Sequence, residues 1–168
     1  MKNIAILVPE MAVSEGITGP RYLFTTANAF LQAAGKEPLF KVQLTGMQKN
    51  IKVQDGVYSI TTDILLENFE QADLVIIPPV LGDMKKSVAL NRESLPWIEK
   101  QYRNGAEVAS LCVGAFLLAS TGLLDGKKCS THWAYYNEFR ECFPQVTVVD
   151  GGVITEEAGI YSSGGANS

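Results

Sequence analysis

Cys112, Cys129, Cys142 and the single histidine, His132, carry most of the nucleophilic and proton-transfer chemistry open to this chain. Cys112 stands at a seam. Before it, Ala106 to Leu111 is a short apolar run behind Gly105 and reads as a buried strand. After it, Val113 to Thr121 is apolar all round and stops at Gly122, so it reads as a buried helix with a glycine stop. A sharp strand-to-helix turn here places the sulfur at the carboxyl edge of a sheet, over the positive end of the helix, which should lower the thiol pKa. Gly114 removes a Cβ where that turn is tightest, the pattern of a nucleophile elbow. His132 lies in Ser130-Thr131-His132-Trp133, one helix and one strand further on, a connection that returns it to the same edge. A cysteine beside an imidazole can be activated to attack an electrophilic carbon. The plainer alternatives are a cysteine that fills space in the core and a histidine that caps or hydrogen-bonds near the surface.

These residues need a sheet to hold them. Asn3 to Val8 is a continuous apolar run ended by Pro9, as expected of a central parallel strand. A loop from Pro9 to Pro20 leads to a helix over Arg21 to Ala34, with Gly35 as its stop. Pro38 to Thr45 is a second strand. Ile51–Val53 and Val57–Ile60 flank Asp55-Gly56, a hairpin signal. Asp63 to Phe69 is expected as a short helix, and Leu74–Ile77 as a buried strand stopped by Pro78-Pro79. Val80 to Asp83 continues as a loop at the same edge, and Asn91 to Asn104 is a helix. Beyond the Cys112 unit come a strand over Cys129 to Thr131, a helix over Ala134 to Phe143 and a strand over Val146 to Val149. Asp150-Gly151-Gly152 is a turn, followed by strand pieces at Val153–Thr155 and Gly159–Ser162. Repeated strand–helix alternation predicts an α/β fold, a mostly parallel sheet sandwiched by helices, with a small β-hairpin.

Length and composition bound the rest. A chain of 168 residues suits one domain, and 46% hydrophobic with 19% charged residues is ordinary for a globular protein. A net charge of −4 without a lysine or arginine run argues against a nucleic-acid grip by this region itself. No basic-then-apolar leader opens the chain and no apolar run approaches a membrane span, so the expected location is the cytoplasm, with no membrane partner. Three cysteines, odd in number and not spaced as a metal knuckle, suit free thiols in a reducing compartment. No metal site and no glycine-rich nucleotide fingerprint is legible, so no cofactor is expected. Cys129 and Cys142 read as core fillers, Tyr135, Tyr136 and Phe139 as a helix packing face, and Trp133 as a pocket wall or core residue. The last stretch, Ser162 to Ser168, reads as a strand end leading toward a further helix, so the expected unit is one domain over 1–168 cut before its last helix.

Ile4 to Val8, Thr18-Gly19-Pro20, Ala72 to Pro78, Ser110 to Ala119, Gly122 to Gly126 and Thr131-His132-Trp133 together resemble the DJ-1/PfpI superfamily, a branch of the class I glutamine amidotransferase-like fold. They are most similar to the effector domain at the N-terminus of AraC-family transcriptional regulators, and isocyanide hydratases share much of the pattern. The resemblance implies a flavodoxin-like fold. It gives Cys112 the elbow position, and His132 that of the histidine in the Thr-His-Trp motif. The amides of Val113 and of the loop Val80 to Gly82 would face an anionic group. It further implies a homodimer that senses a small-molecule effector, with DNA contacted only through a helix-turn-helix region outside this chain.

Two departures bear on chemistry. Enzymatic relatives hold an acid beside the cysteine, directly before the Leu-Thr-Gly-Pro stretch; here Gly16 takes that place, with Glu15 one residue earlier and Tyr22 where many have a glutamate. The usual Pro-Gly-Gly loop reads Pro78-Pro79-Val80, and Pro79 has no amide hydrogen. Three readings follow: a ligand-binding regulator domain with Cys112, Val113, Val80, Gly82 and His132 around the ligand; a hydratase, amidase or glyoxalase using Cys112, His132 and Glu15; and a redox sensor whose acidic Cys112 is oxidised.

Overall fold

In the computed structural model, which describes residues 1–165 apart from the side chain of Asp55, β1 (Lys2–Leu7) leads into α1 (Glu15–Ala33) and then β2 (Phe40–Gly46). A hairpin of β3 (Asn50–Val53) and β4 (Tyr58–Thr61) precedes β5 (Ile64–Leu65) and β6 (Leu74–Ile77). Helices α2 (Met84–Leu90) and α3 (Leu95–Arg103) then lead to β7 (Glu107–Leu111) and α4 (Ala115–Ser120). The remainder is β8 (Lys128–Cys129), α5 (Tyr136–Cys142), β9 (Thr147–Val148), β10 (Ile154–Glu157) and β11 (Ile160–Ser163). Seven strands form one sheet in the order β10-β11-β7-β6-β1-β2-β5, parallel except for the β10–β11 pair.

Side chains alternate across this sheet, and the alternation builds two cores. Ile4, Ile6 and Val8 face α1 and pack with Ile17, Leu44 and Ile76. Ala5 and Leu7 face the other way, joining Val75, Ile77 and Val108 under Ile98, Phe116 and Leu117 of α3 and α4. Phe24 of α1 meets Phe40 of β2 edge to face at 4.9 Å, and Asn28 ties the helix to that strand through Phe40 O at 2.6 Å. On the α1 side, β7 and β11 carry no helix among the described residues. A cavity of about 300 Å³ opens there over Leu74, Ala109, Leu111, Ile154 and Tyr161. The end of the stretch 162–168, read as leading toward a further helix, lies outside the described residues.

Several sequence expectations are corrected. Helix α1 starts at Glu15, so Pro20 sits inside it and not before it. The first turn is tightened by Gly16 N→Val13 O (3.1 Å) and Ile17 N→Ser14 O (3.0 Å), and Pro20, the sixth residue of the helix, leaves Gly16 O without its i→i−4 donor. Asp63 to Phe69 is not a helix. Asp63 exchanges backbone and side-chain bonds with Leu44, which draws Ile64–Leu65 into the sheet as an edge strand beside Thr45–Gly46 and leaves a single 3-10 turn at Leu66–Asn68. Helix α2 was not expected; Asp83 caps it by accepting from Lys86 N at 2.8 Å. The Cys129 strand pairs with β9 in a separate two-stranded sheet, not with the main one. Trp133 is 74% exposed and belongs to no core.

Two tests follow from the packing. A Cβ on Gly114 would stand 2.7 Å from both Ile77 O and Pro78 O, backbone atoms that cannot swing aside. Gly114→Ala should therefore cost about 1–3 kcal/mol in urea unfolding. Cys129 is fully buried and its thiol pKa is pushed up to about 11 by desolvation, against a weaker opposing hydrogen bond with Ser162. Because the folded value lies above the unfolded value of 9.0, stability is complete below that pH and is lost as pH climbs toward 11. The loss should reach about 3 kcal/mol. Cys129→Ala should flatten that alkaline slope, and equal slopes in the two proteins would contradict the assignment.

Candidate functional site

The carboxyl ends of β1, β6 and β7 bring three loops to one edge, where open parallel sheets commonly bind ligands. The first two loops are zipped together. Val13 N donates to Pro79 O (2.9 Å) and Leu81 N to Met11 O (2.8 Å), flanking a bridge between Ala12 and Val80. Met11 takes a left-handed backbone, φ 64°, to make the crossing.

Cys112 follows β7 directly, also with a left-handed backbone, φ 55°. A non-glycine residue in that region is strained, and the surroundings must hold it there. Two features do so. Gly114 lets the 3-10 turn Cys112–Gly114 close onto Ile77 and Pro78. From the opposite side, Thr131 Oγ1 donates to Cys112 O at 3.1 Å, which fastens the His132 loop to the turn. Thr131 is fully buried. It is the tether that the sequence reading passed over, although it stands in the Thr-His-Trp motif that the reading singled out.

The thiol is partly exposed. Burial raises its pKa, and the hydrogen bond from Val113 N only partly opposes this. The expected acidification by the helix end is therefore corrected. Helix α4 has six residues and is reached through a 3-10 turn, so its dipole is small and burial outweighs it.

His132 and Glu15 are both engaged elsewhere. His132 Nδ1 accepts from Ala134 N at 3.3 Å, which leaves Nε2 as the proton-bearing nitrogen of the neutral ring. The ring stacks on Trp133 at 5.5 Å and meets Tyr135 edge-on at 6.0 Å. Glu15 is exposed at the start of α1, with its carboxylate accepting from Ser14 Oγ at 3.0 Å. Among the described residues, no hydrogen bond joins either side chain to the Cys112 sulfur. At Gly16, the position of the family acid, a Cβ would overlap Pro79 Cδ and stand 3.0 Å from Pro79 Cγ. The proline ring occupies the space into which a side chain at 16 would grow.

Val80 is buried, so it can offer only backbone atoms, and Gly82 is exposed with φ 80°. The Leu81 amide is spent on Met11 O. Val113 is also buried, and its N–H points at the Cys112 sulfur. Among the described residues, no group of three or more histidine, cysteine, aspartate or glutamate side chains could hold a metal ion, and no helix is long and apolar enough to cross a membrane.

A mostly parallel sheet with helices on its two faces, a small antiparallel hairpin and a cysteine where β7 turns toward α4 defines a flavodoxin-like α/β protein. The chain belongs to the DJ-1/PfpI family, whose profile matches residues 2–167. It is 34% identical over 120 residues to the HTH-type transcriptional regulator GbdR of Pseudomonas aeruginosa, an alignment that covers 70% of this chain and 31% of that protein. The chain thus spans about a third of that curated relative's length. It is 27% identical over 121 residues to the deglycase PH1704 of Pyrococcus horikoshii, covering 67% of this chain and 72% of that one. Its fold matches the crystal structure of an AraC family transcriptional regulator from Pseudomonas putida with a TM-score of 0.79 at 17% identity, over 99% of this chain and 85% of that one.

Alkylation with iodoacetamide reads the thiol directly. The rate at Cys112, followed by peptide mass, should rise with pH to an inflection above that of free cysteine, because desolvation dominates its environment. An inflection below free cysteine would mean that a positive field outweighs burial.

Proposed function

We propose that this chain is the effector-binding domain of an AraC-type transcriptional regulator, holding a small molecule at the edge formed by Cys112, the Val80–Gly82 loop and His132. The observation that carries the choice of binding over catalysis is Gly16: the place of the acid has no side chain, and Pro79 fills the space beyond it. A thiol with a raised pKa and, among the described residues, no carboxylate bonded to it is a poor nucleophile at neutral pH, yet it makes a good apolar, weakly polar wall for a ligand. Kinship with GbdR, an HTH-type regulator, supports the same direction, and the two-thirds of such a protein beyond this chain would carry the DNA-reading part. On this reading the protein works in the cytoplasm, and two protomers change their arrangement when the effector binds.

The second reading, a Cys112-dependent enzyme, is favoured by the kinship with a deglycase. The thiolate would attack a carbonyl carbon, and the alkoxide formed would take up a proton. Deprotonation of Cys112 then needs a base that neither Glu15 nor His132 supplies in this arrangement.

The two readings part on one experiment. Methylglyoxal consumption by the chain and by Cys112→Ser should be equal and near the uncatalysed rate, whereas Cys112-dependent turnover would overturn the binding reading. In parallel, a panel of small amines, amino acids and carboxylates is scored by thermal melting. A ligand present at a hundred times its Kd stabilises by about 2.7 kcal/mol, and so should raise Tm by about 5–10 °C.

A further inference from the structure

A cleft on the α3 side of the sheet has no part in the reading above. Between β5 and β6 the chain crosses this face as a strap, through the 3-10 turn Leu66–Asn68 and Phe69. Strap and α3 are joined at one end. Ala72 N donates to Gln101 Oε1 at 2.9 Å, and Phe69 meets Trp97 edge to face at 5.8 Å. Toward the start of α3 they part around a cavity of about 390 Å³. Leu65, Phe69 and Trp97 give it apolar and aromatic walls, while Glu67 of the strap, Glu93 before α3 and Lys100 within it complete the lining. The three charged residues are exposed, and among the described residues none of them forms an ion pair. Trp97 is 9% exposed, and its indole Nε1 is buried with no hydrogen-bond partner among the described residues. A buried indole N–H usually finds an acceptor, so this wall is one acceptor short.

We infer that this cleft binds a primary amine carried on an apolar, ring-sized body that also bears an acceptor oxygen. Small-molecule sites are mostly apolar clefts in which a few polar groups fix orientation. Here those groups select charge. Two carboxylates, one from each wall, stand against a single ammonium, so the lining favours a cation. A primary ammonium has three N–H donors and can serve both carboxylates at once. A ligand carboxylate would meet two like charges and only one opposite one. The aromatic rings of Phe69 and Trp97 also attract a cation held within about 6 Å of their faces. The apolar body of the ligand covers Leu65 and Trp97, and its oxygen supplies the indole N–H with the acceptor that the protein does not. Lys100 is the one group of the wrong sign. Its flexible stem lines the wall while its head turns to water, so it opposes the ligand only weakly. None of these residues belongs to the Cys112 edge, and the cleft stands or falls apart from the effector reading.

Tyramine carries all three features, and the chain supplies its own reporter. Its two tryptophans are Trp97 and Trp133, so Trp133→Phe leaves the emission of Trp97 alone to be followed. Titration with tyramine should shift that emission saturably, with Kd on the order of 100 µM. Glu67→Gln and Glu93→Gln change exposed side chains and leave the fold in place; each should weaken binding about five- to tenfold. Lys100→Met removes the like charge and should tighten binding about two- to threefold. 3-(4-Hydroxyphenyl)propionate, which has a carboxylate in place of the amine, should bind at least about tenfold more weakly than tyramine. The absence of a saturable shift up to about 10 mM tyramine overturns the site. Binding unmoved by both glutamine variants does the same, and equal affinity for the propionate overturns the choice of an amine. Calorimetry with tyramine on the unaltered chain, on Glu93→Gln and on Cys112→Ala locates the ligand. Heat lost in Cys112→Ala but kept in Glu93→Gln would place the amine at the Cys112 edge, which overturns this cleft and leaves the effector reading standing.

Discussion

Where the chain turns from β7 toward α4, Gly114 lies against the carbonyls of Ile77 and Pro78 with no side chain between them. Much of the edge hangs on that backbone-to-backbone contact. It fixes how closely the turn can sit to the end of β6, and so how far Cys112 must bend into a left-handed conformation to connect strand and turn. With Cys112 held there, its carbonyl faces Thr131 and anchors the loop that carries His132. Phe116, one turn further along α4, then reaches Phe139 of α5 at 5.0 Å and Tyr135 at 6.1 Å. The last third of the chain is thereby packed against a helix whose starting point one glycine determines.

Chemistry at this edge is limited by what is absent from the side of the sulfur. Pro79 takes part twice. Its ring stands where a side chain at position 16 would grow, and its ring nitrogen has no proton to offer an anion. The surrounding loops satisfy their own backbone groups, as Leu81 does with Met11. On the binding reading, an edge whose loops are internally bonded recognises a molecule by shape more readily than it stabilises developing charge. A thiol with a raised pKa also makes the redox-sensor reading weaker, since oxidation proceeds through the thiolate.

The central strands and the turn at Cys112 were legible because their signals are local: unbroken apolar runs of the right length, stopped by proline or glycine. Other elements are set by partners far away in sequence. Ile64–Leu65 becomes a strand because Leu44, some twenty residues earlier, supplies bonds to Asp63, which no local periodicity reveals. The start of α1 was hidden by Pro20, which reads as a helix opener yet lies in the second turn. The cap at Asp83 was readable in principle, but α2 is seven residues long and only Met84 and Ser87 of it are buried, too little for a clear apolar stripe. Cys112, Gly16, Pro79 and His132 could all be picked out by type and spacing. The thiol's protonation could not, because it depends on how much protein surrounds the sulfur and not on which residues adjoin it in sequence.

Ala12 sits between two neighbours. On one side it is bridged to Val80; on the other, its carbonyl accepts from Gln54 N at 3.0 Å, at the tip of the β3–β4 hairpin. A segment of a few residues after β1 is therefore a crossbar that joins the end of β6 to a hairpin lying outside the main sheet. The hairpin has its own two-stranded pairing and turns on Gln54, whose φ is 52°. The Val80 loop and the hairpin tip therefore hold the same short segment from opposite sides, so the carboxyl edge of the main sheet is tied by backbone contacts to an element outside it.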